Sequence, residues 1–255
     1  MQAPESILKV WHQFDNLPME RFTKVWYAMQ KPEPLQFQRT IEQMKAHYAE
    51  HKIAGNCFDL TFWLLDEFRK NGVEAYAVGQ DMMTADAHVA VIARDEQGFK
   101  YLCDLGDQWI QPICVDTASE AFHLNDCEGY FPGATIQVLP VKEGVEIFYK
   151  RPNGKVSRQM FDLTPIDEQT LIETAELCQR NLTAGALFEC RLFGEEVVHW
   201  EFYNWRSFTS SMSGLIEDES LLTVEEWATR IHNKTGYSYE ILVDVLNYYA
   251  QLRDE

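Results

Sequence analysis

Basic residues are scarce in this chain: 22 Lys and Arg stand against 40 Asp and Glu in 255 residues, a formal net charge of −18 at pH 7. A field of that sign repels polyanions, which argues against general binding to nucleic acid or to anionic membrane surfaces. Long apolar runs are missing as well, since no window approaches the roughly 18 uninterrupted apolar residues of a membrane-spanning helix. The opening residues, Met1-Gln2-Ala3-Pro4-Glu5-Ser6-Ile7, have neither the basic region nor the apolar core of an export signal. The expectation is a cytoplasmic protein that engages neither membrane nor nucleic acid. Gly and Pro number 13 and 9 and are scattered, which excludes collagen-like and low-complexity classes. There is no CxxC and no paired Cys/His cluster at zinc spacing, so no metal is expected. The six cysteines, Cys57, Cys103, Cys114, Cys127, Cys178 and Cys190, are expected as free thiols in a chain of this size without an export signal. What the chain does have is apolar mass: 46% of its residues are hydrophobic, enough for a sizeable core.

The patterning divides the chain in three. Residues 1–72 read as helical, first from Phe14 to Met29, then from Leu35 to His51 beyond Pro32 and Pro34, and finally from Cys57 to Lys70. The last of these has Asn56 as its N-cap, Arg69 and Lys70 in its final turn and Gly72 as its stop. Phe58, Leu60, Phe62, Trp63, Leu64, Leu65 and Phe68 leave it almost no polar face, so it must be buried. Residues 73–163 change to short apolar runs divided by turns: Ala75 to Val78, His88 to Ala93, Phe99 to Leu105, Thr135 to Val141 and Val145 to Tyr149. Those runs predict an antiparallel sheet or barrel. Residues 164–255 mix a helix from Asp167 to Gln179, two strands around Arg191 and His199, and a C-terminal helix opened by the capping box Thr223-Val224-Glu225-Glu226. Helices, then strands, then mixed elements make this an α+β chain: a helical bundle, a central barrel-like sheet and an α/β lid. The oligomeric state is not legible.

Chemistry concentrates at three positions. Cys57 lies where a helix begins, and the unpaired N–H groups there favour a thiolate, although Asp59 in the same turn opposes it. The plain alternative is a small buried thiol. His88 opens an apolar strand, where an imidazole needs a partner. Asp104 closes the next strand. If Glu96-Gln97-Gly98 forms a three-residue hairpin loop with Gly98 left-handed, Phe99 lies opposite Asp95 and Asp104 opposite Ala90. That register puts Asp104 on the same sheet face as His88, as its diagonal neighbour. A helix-start Cys, a strand His and an Asp on the adjoining strand supply nucleophile, base and orienting acid.

These residues resemble the arylamine N-acetyltransferases, within the transglutaminase-like folds. The resemblance rests on Gly55-Asn56-Cys57-Phe58-Asp59, on His88-Val89-Ala90-Val91-Ile92, and on Tyr101-Leu102-Cys103-Asp104-Leu105-Gly106 followed by Pro112. It implies a helical domain, a β-barrel and an α/β lid in that order, with Cys57, His88 and Asp104 as catalytic triad. It further implies ping-pong transfer of acetyl from acetyl-CoA through a Cys57 thioester to an arylamine or hydrazine. Around the nucleophile the family's Arg-Gly-Gly lead and Glu-x-Asn tail are here Ile53-Ala54-Gly55 and Asp59-Leu60-Thr61. After the aspartate, the family's Gly-Phe-Gly is here Gly106-Asp107-Gln108. The same triad also suits an amide hydrolase or peptidase of transglutaminase type, or a catalytically silent binding protein on that fold.

The one locally basic stretch, Lys142, Lys150, Arg151, Lys155 and Arg158, surrounds Pro152-Asn153-Gly154, which reads as a hairpin tip. Lys150 and Arg151 are the expected contacts for coenzyme A phosphates, and a merely solvated hairpin is the alternative. Trp200, Phe202, Tyr203 and Trp205, beside His199, either line a pocket or pack a strand.

Overall fold

The computed structural model describes residues 2–30 and 36–254, so Pro32, Pro34 and Leu35 lie outside the described residues. The first helix, α1 (Glu5–Trp11), buries Ile7, Leu8, Val10 and Trp11 and starts well before the expected Phe14. A single 3-10 turn (His12–Phe14) and a two-residue strand, β1 (Met19–Glu20), follow. Helix α2 spans Phe22–Gln30. Helix α3 spans Ile41–His51, where a reciprocal capping box between Thr40 and Gln43 sets its start. Helix α4 runs Cys57–Lys70 as its pattern predicts, with Phe58, Leu60, Leu64 and Phe68 buried.

Eight antiparallel strands form the central sheet: β2 (Ala75–Gln80), β3 (His88–Arg94), β4 (Lys100–Cys103), β5 (Ile113–Cys114), β6 (Cys127–Phe131), β7 (Ala134–Val141), β8 (Gly144–Lys150) and β9 (Val156–Asp162). Their spatial order is β5-β4-β3-β2-β9-β8-β7-β6. Alternation places Ala134, Ile136 and Val138 of β7 and Val145, Ile147 and Tyr149 of β8 inside. The sheet curls towards closure, and the Ile110 N–H beyond β4 donates to Tyr130 O of β6 at 2.9 Å. This interior, α1 and α4 share one apolar core.

Helix α5 (Glu168–Arg180) lies over α4, β2 and β3 through Leu171, Ala175 and Cys178. Then come β10 (Leu187–Leu192), β11 (Val198–Tyr203), β12 (Arg206–Ser211) and β13 (Gly214–Glu217), with β1 pairing onto β10 at the sheet edge. Two helices end the chain, α6 (Val224–Thr235) and α7 (Tyr239–Asp254), separated at Gly236 with φ +71. The expected pair of strands is thus part of a five-stranded sheet, and the expected single helix is two. Strand β12 escapes sequence patterning because Ser207, Thr209, Ser210 and Ser211 give it no apolar run. The tight turn before it is made by Asn204 and Trp205, both at positive φ, without the usual glycine. Of the aromatic run, Trp200 and Phe202 pack the second core, Tyr203 is exposed and Trp205 forms that turn, so the strand-packing alternative holds. Among the described residues no helix is long and apolar enough to cross a membrane.

Candidate active site

The start of α4 is built by its neighbours in sequence. The Asn56 side chain accepts hydrogen bonds from the N–H of Phe58 at 3.0 Å and of Asp59 at 3.3 Å, and the Asp59 carboxylate accepts from the Asn56 N–H at 3.2 Å. This reciprocal cap leaves Cys57 as the first helical residue, whose own N–H has no intrahelical acceptor. Gly55 sits at φ +132, and a Cβ there would fall 2.2 Å from Asp59 Oδ2, so only glycine fits against the cap.

Asp59, expected to oppose a Cys57 thiolate, has its charge engaged elsewhere. Arg39, 3% exposed, pairs with Asp59 Oδ1 at 3.3 Å, while Gln38 donates to Oδ1 at 2.9 Å and Gln179 to Oδ2 at 3.0 Å. Gln179 also accepts from Asn56 Nδ2 at 3.1 Å. Arg39 donates onward to Ala54 O. None of Arg39, Gln38 and Gln179 was visible to sequence reasoning, because each reaches the cap from a distant element.

His88 and Asp104 meet as the hairpin register requires. The observed pairs are Arg94↔Lys100, Ala93↔Tyr101, Ile92↔Leu102 and Val91↔Cys103, the register that, carried one residue beyond the end of β4, sets Ala90 opposite Asp104. The loop closes with Asp95 N donating to Phe99 O at 3.1 Å and with Gly98 at φ +86. His88 Nε2 and Asp104 Oδ2 are 2.8 Å apart, and Asp104 is fully buried. The ring and Cys57 line the same cavity. With Nε2 committed to Asp104, Nδ1 is the nitrogen left for the sulfur. Gly106 shows how closely the three side chains converge: a Cβ there would lie 2.7 Å from His88 Cε1, 2.8 Å from Cys57 Cβ and 3.2 Å from Asp104 Oδ1.

Burial alone would lower the His88 pKa. The charges of Asp104 and Asp107, with the hydrogen bond to Asp104, outweigh it and hold the imidazole well above its ordinary value. Asp107, unforeseen in sequence, lies 3.8 Å from His88 Nε2. Burial and then the Asp104 charge raise its carboxyl to about 6, against the pull of His88.

Cys57, His88, Gly106 and Asp107 line a cavity of about 300 Å³, together with Lys24 and Arg21. Burial, aided by Arg21, lowers Lys24 to about 8, and its ammonium donates to Cys178 O at 3.4 Å. A larger cavity of about 670 Å³ lies between the β8–β9 hairpin and the lid sheet, and the two share Asp107 and Glu189 on their walls. Arg151, Lys155 and Arg158 line the larger cavity. Lys150 does not: it pairs with Asp126 at 2.6 Å, whereas Arg151 donates to Ser157 Oγ at 2.7 Å. The two residues expected to meet coenzyme A thus have different settings, Lys150 at the end of β8 and Arg151 just beyond it. Two groups among the described residues have metal-ligand spacing, His88/Asp104/Asp107 and Glu189/His199/Glu201.

Neither the models of known protein families nor the curated proteins contain a match to this chain. Solved structures do. An arylamine N-acetyl transferase of Mycobacterium smegmatis aligns at TM-score 0.71 over 98% of this chain and 91% of its own, with 12% identity. The fold is that of the arylamine N-acetyltransferases. A second such structure, from Mycobacterium marinum in complex with CoA, aligns at TM-score 0.70 with 10% identity, over 94% of this chain and 91% of its own. A third, from Bacillus cereus and described as having a Cys-His-Glu catalytic triad, aligns at 0.62 with 12% identity, over 93% and 92%. The motif resemblance therefore extends to the whole architecture, despite the altered residues beside Cys57.

Proposed function

We propose that this protein is an acyltransferase that moves acetyl from acetyl-CoA through a Cys57 thioester to an arylamine or hydrazine. The observation that carries this reading is the convergence of Cys57, His88 and Asp104 around Gly106, with His88 Nε2 2.8 Å from Asp104 Oδ2, at the wall of a cavity. In this mechanism His88 takes the Sγ proton and the thiolate attacks the acetyl carbonyl. The Cys57 N–H, free of any helical acceptor, donates to the developing oxyanion. Collapse breaks the bond to the coenzyme's sulfur, which leaves with the proton from His88. The acceptor amine then attacks the thioester, His88 takes its proton, and the amide departs as the Cys57 thiol is restored. Asp104 holds the ring so that Nδ1 faces the sulfur throughout.

The elevated proton affinity of His88 supports this scheme, because it favours an imidazolium beside a thiolate. Coenzyme A enters the proposal through the Mycobacterium marinum complex and through Arg151, which lines the larger cavity. The three regions divide the work: residues 1–72 carry the nucleophile, 73–163 the base and its acid, and 164–255 cover the site.

Intact-protein mass spectrometry after incubation with acetyl-CoA tests the reading. One acetyl group, mapped to Cys57 and removed on adding an arylamine or hydrazine, is the expected result. No adduct on a thiol that still reacts with iodoacetamide would overturn it in favour of the amide hydrolase.

A further inference from the structure

Three side chains on the lid-sheet face towards the larger cavity stand out. Glu189 on β10 and Glu201 on β11 are direct register partners, and both line that cavity. Like charges placed opposite each other across an antiparallel pair are destabilising. Among the described residues neither carboxylate has a hydrogen bond or an ion pair; Arg21 acts on Glu189 and Arg151 on Glu201 only through longer-range charge. His199, two residues before Glu201 and therefore on the same face, is 9% exposed, and its buried Nε2 has no hydrogen-bond partner. One oxygen of each carboxylate and one nitrogen of the ring all lie within 4.8 Å of one another. The nearby Arg191 does not complete the set, since its guanidinium donates to Trp109 O at 2.7 Å and Phe14 O at 2.6 Å.

We propose that Glu189, His199 and Glu201 form a divalent transition-metal site, with zinc as the cation that fits. An imidazole nitrogen with two carboxylate oxygens is a borderline donor set, which suits zinc better than the all-oxygen cages of calcium or magnesium. Metal–donor distances of about 2.1 Å require the three atoms to close up by rotamer changes on the order of 1 Å. A tetrahedral ion then keeps one position open to water or to a ligand in the cavity. The cation offsets the two opposed carboxylates and gives His199 the partner it lacks. Sequence spacing hides the site because its donors come from two adjoining strands and not from one turn. The site includes no part of Cys57, so it stands or falls independently of acetyl transfer.

The test is isothermal titration of the full-length, chelator-treated protein with zinc chloride. One zinc per chain is expected, with affinity weakened at least about 100-fold in Glu201→Gln and in His199→Asn, and unchanged in Cys57→Ser. Circular dichroism establishes that each variant is folded. Cobalt substitution of the wild-type protein supplies a reading that needs no variant: a spectrum of nitrogen and oxygen ligation is expected. Absence of stoichiometric binding, binding indifferent to both lid variants, or a thiolate-to-cobalt band would overturn the site.

Discussion

Gly106→Ala is the sharpest perturbation the geometry offers. The added methyl would stand 2.7 Å from His88 Cε1 and 2.8 Å from Cys57 Cβ. Carbon–carbon contacts settle at about 3.5–4.0 Å, so the ring and the Cys57 Cβ must together yield on the order of 1 Å. Both are held: the ring by Asp104 at 2.8 Å, and Cys57 by the cap of α4. Overpacking of this kind costs about 1–3 kcal/mol in stability, and misplacing reacting groups by about 1 Å costs roughly 100-fold in rate. The expected outcome is a folded protein with a slightly lowered melting temperature and acetyl transfer reduced on the order of 100-fold. Cys57 alkylation at neutral pH should slow as well, because contact with His88 is weakened. The assay pairs iodoacetamide labelling, followed by peptide mapping across a pH series, with transfer kinetics and thermal melts. A folded Gly106→Ala protein with unchanged labelling and unchanged transfer would refute the claim that Cys57 and His88 act in contact.

Burial raises the other five thiols, Cys178 to about 11, Cys190 to about 12, and Cys103, Cys114 and Cys127 also upward, so Cys57 should be alkylated first at neutral pH. His88→Ala should abolish that preference, and equal labelling of all six thiols in the parent protein would contradict it. Arg151→Glu should raise the Michaelis constant for acetyl-CoA several-fold while Lys150→Glu leaves it unchanged, in steady-state kinetics on each single variant; equal effects would contradict the different settings of the two residues. Asp66, 5% exposed, is lowered to about 2: burial opposes the shift, and hydrogen bonds from Lys70, Lys45 and Arg69 prevail. Its folded pKa is depressed, so its stabilisation is present above the ordinary value of 3.8 and is lost as pH falls through about 2. Allowing for the exposure of its partners, Asp66→Asn should cost about 1–2 kcal/mol at pH 7 and almost nothing near the lower limit, measured by urea unfolding at both pH values.

What sequence revealed was whatever is specified locally. Helix α4 is legible because Asn56, the apolar run and Gly72 all lie within its own length. The His88–Asp104 register is legible because one three-residue loop with a left-handed Gly98 decides the parity of two strands. The buried girdle of Arg39, Gln38 and Gln179 has no such signature: it forms only when α5 and the segment before α3 are packed against the cap. Asp107 escaped notice because its role depends on facing His88, and nothing in Gly106-Asp107-Gln108 reports that direction. Strand β1 is too short to show a period, and β12 is too polar. The lid-sheet cluster needs cross-strand pairing of β10 with β11 before its three donors are neighbours.

The pairing of β1 with β10 has a mechanical consequence. Met19 and Glu20 lie against Glu189 and Phe188, the Glu20 N–H donates to Gly55 O at 2.9 Å, and the Arg21 N–H donates to Leu187 O at 3.0 Å. Three consecutive residues thus splice the backbone beside Cys57 to the five-stranded sheet. A sheet fastened in this way cannot swing as a flap on a hinge without tearing main-chain hydrogen bonds next to Cys57. A ligand of the Cys57 cavity is therefore expected to enter through the mouths of the existing cavities, and one that strains the five-stranded sheet to tug on Gly55 and, through it, on the first turn of α4.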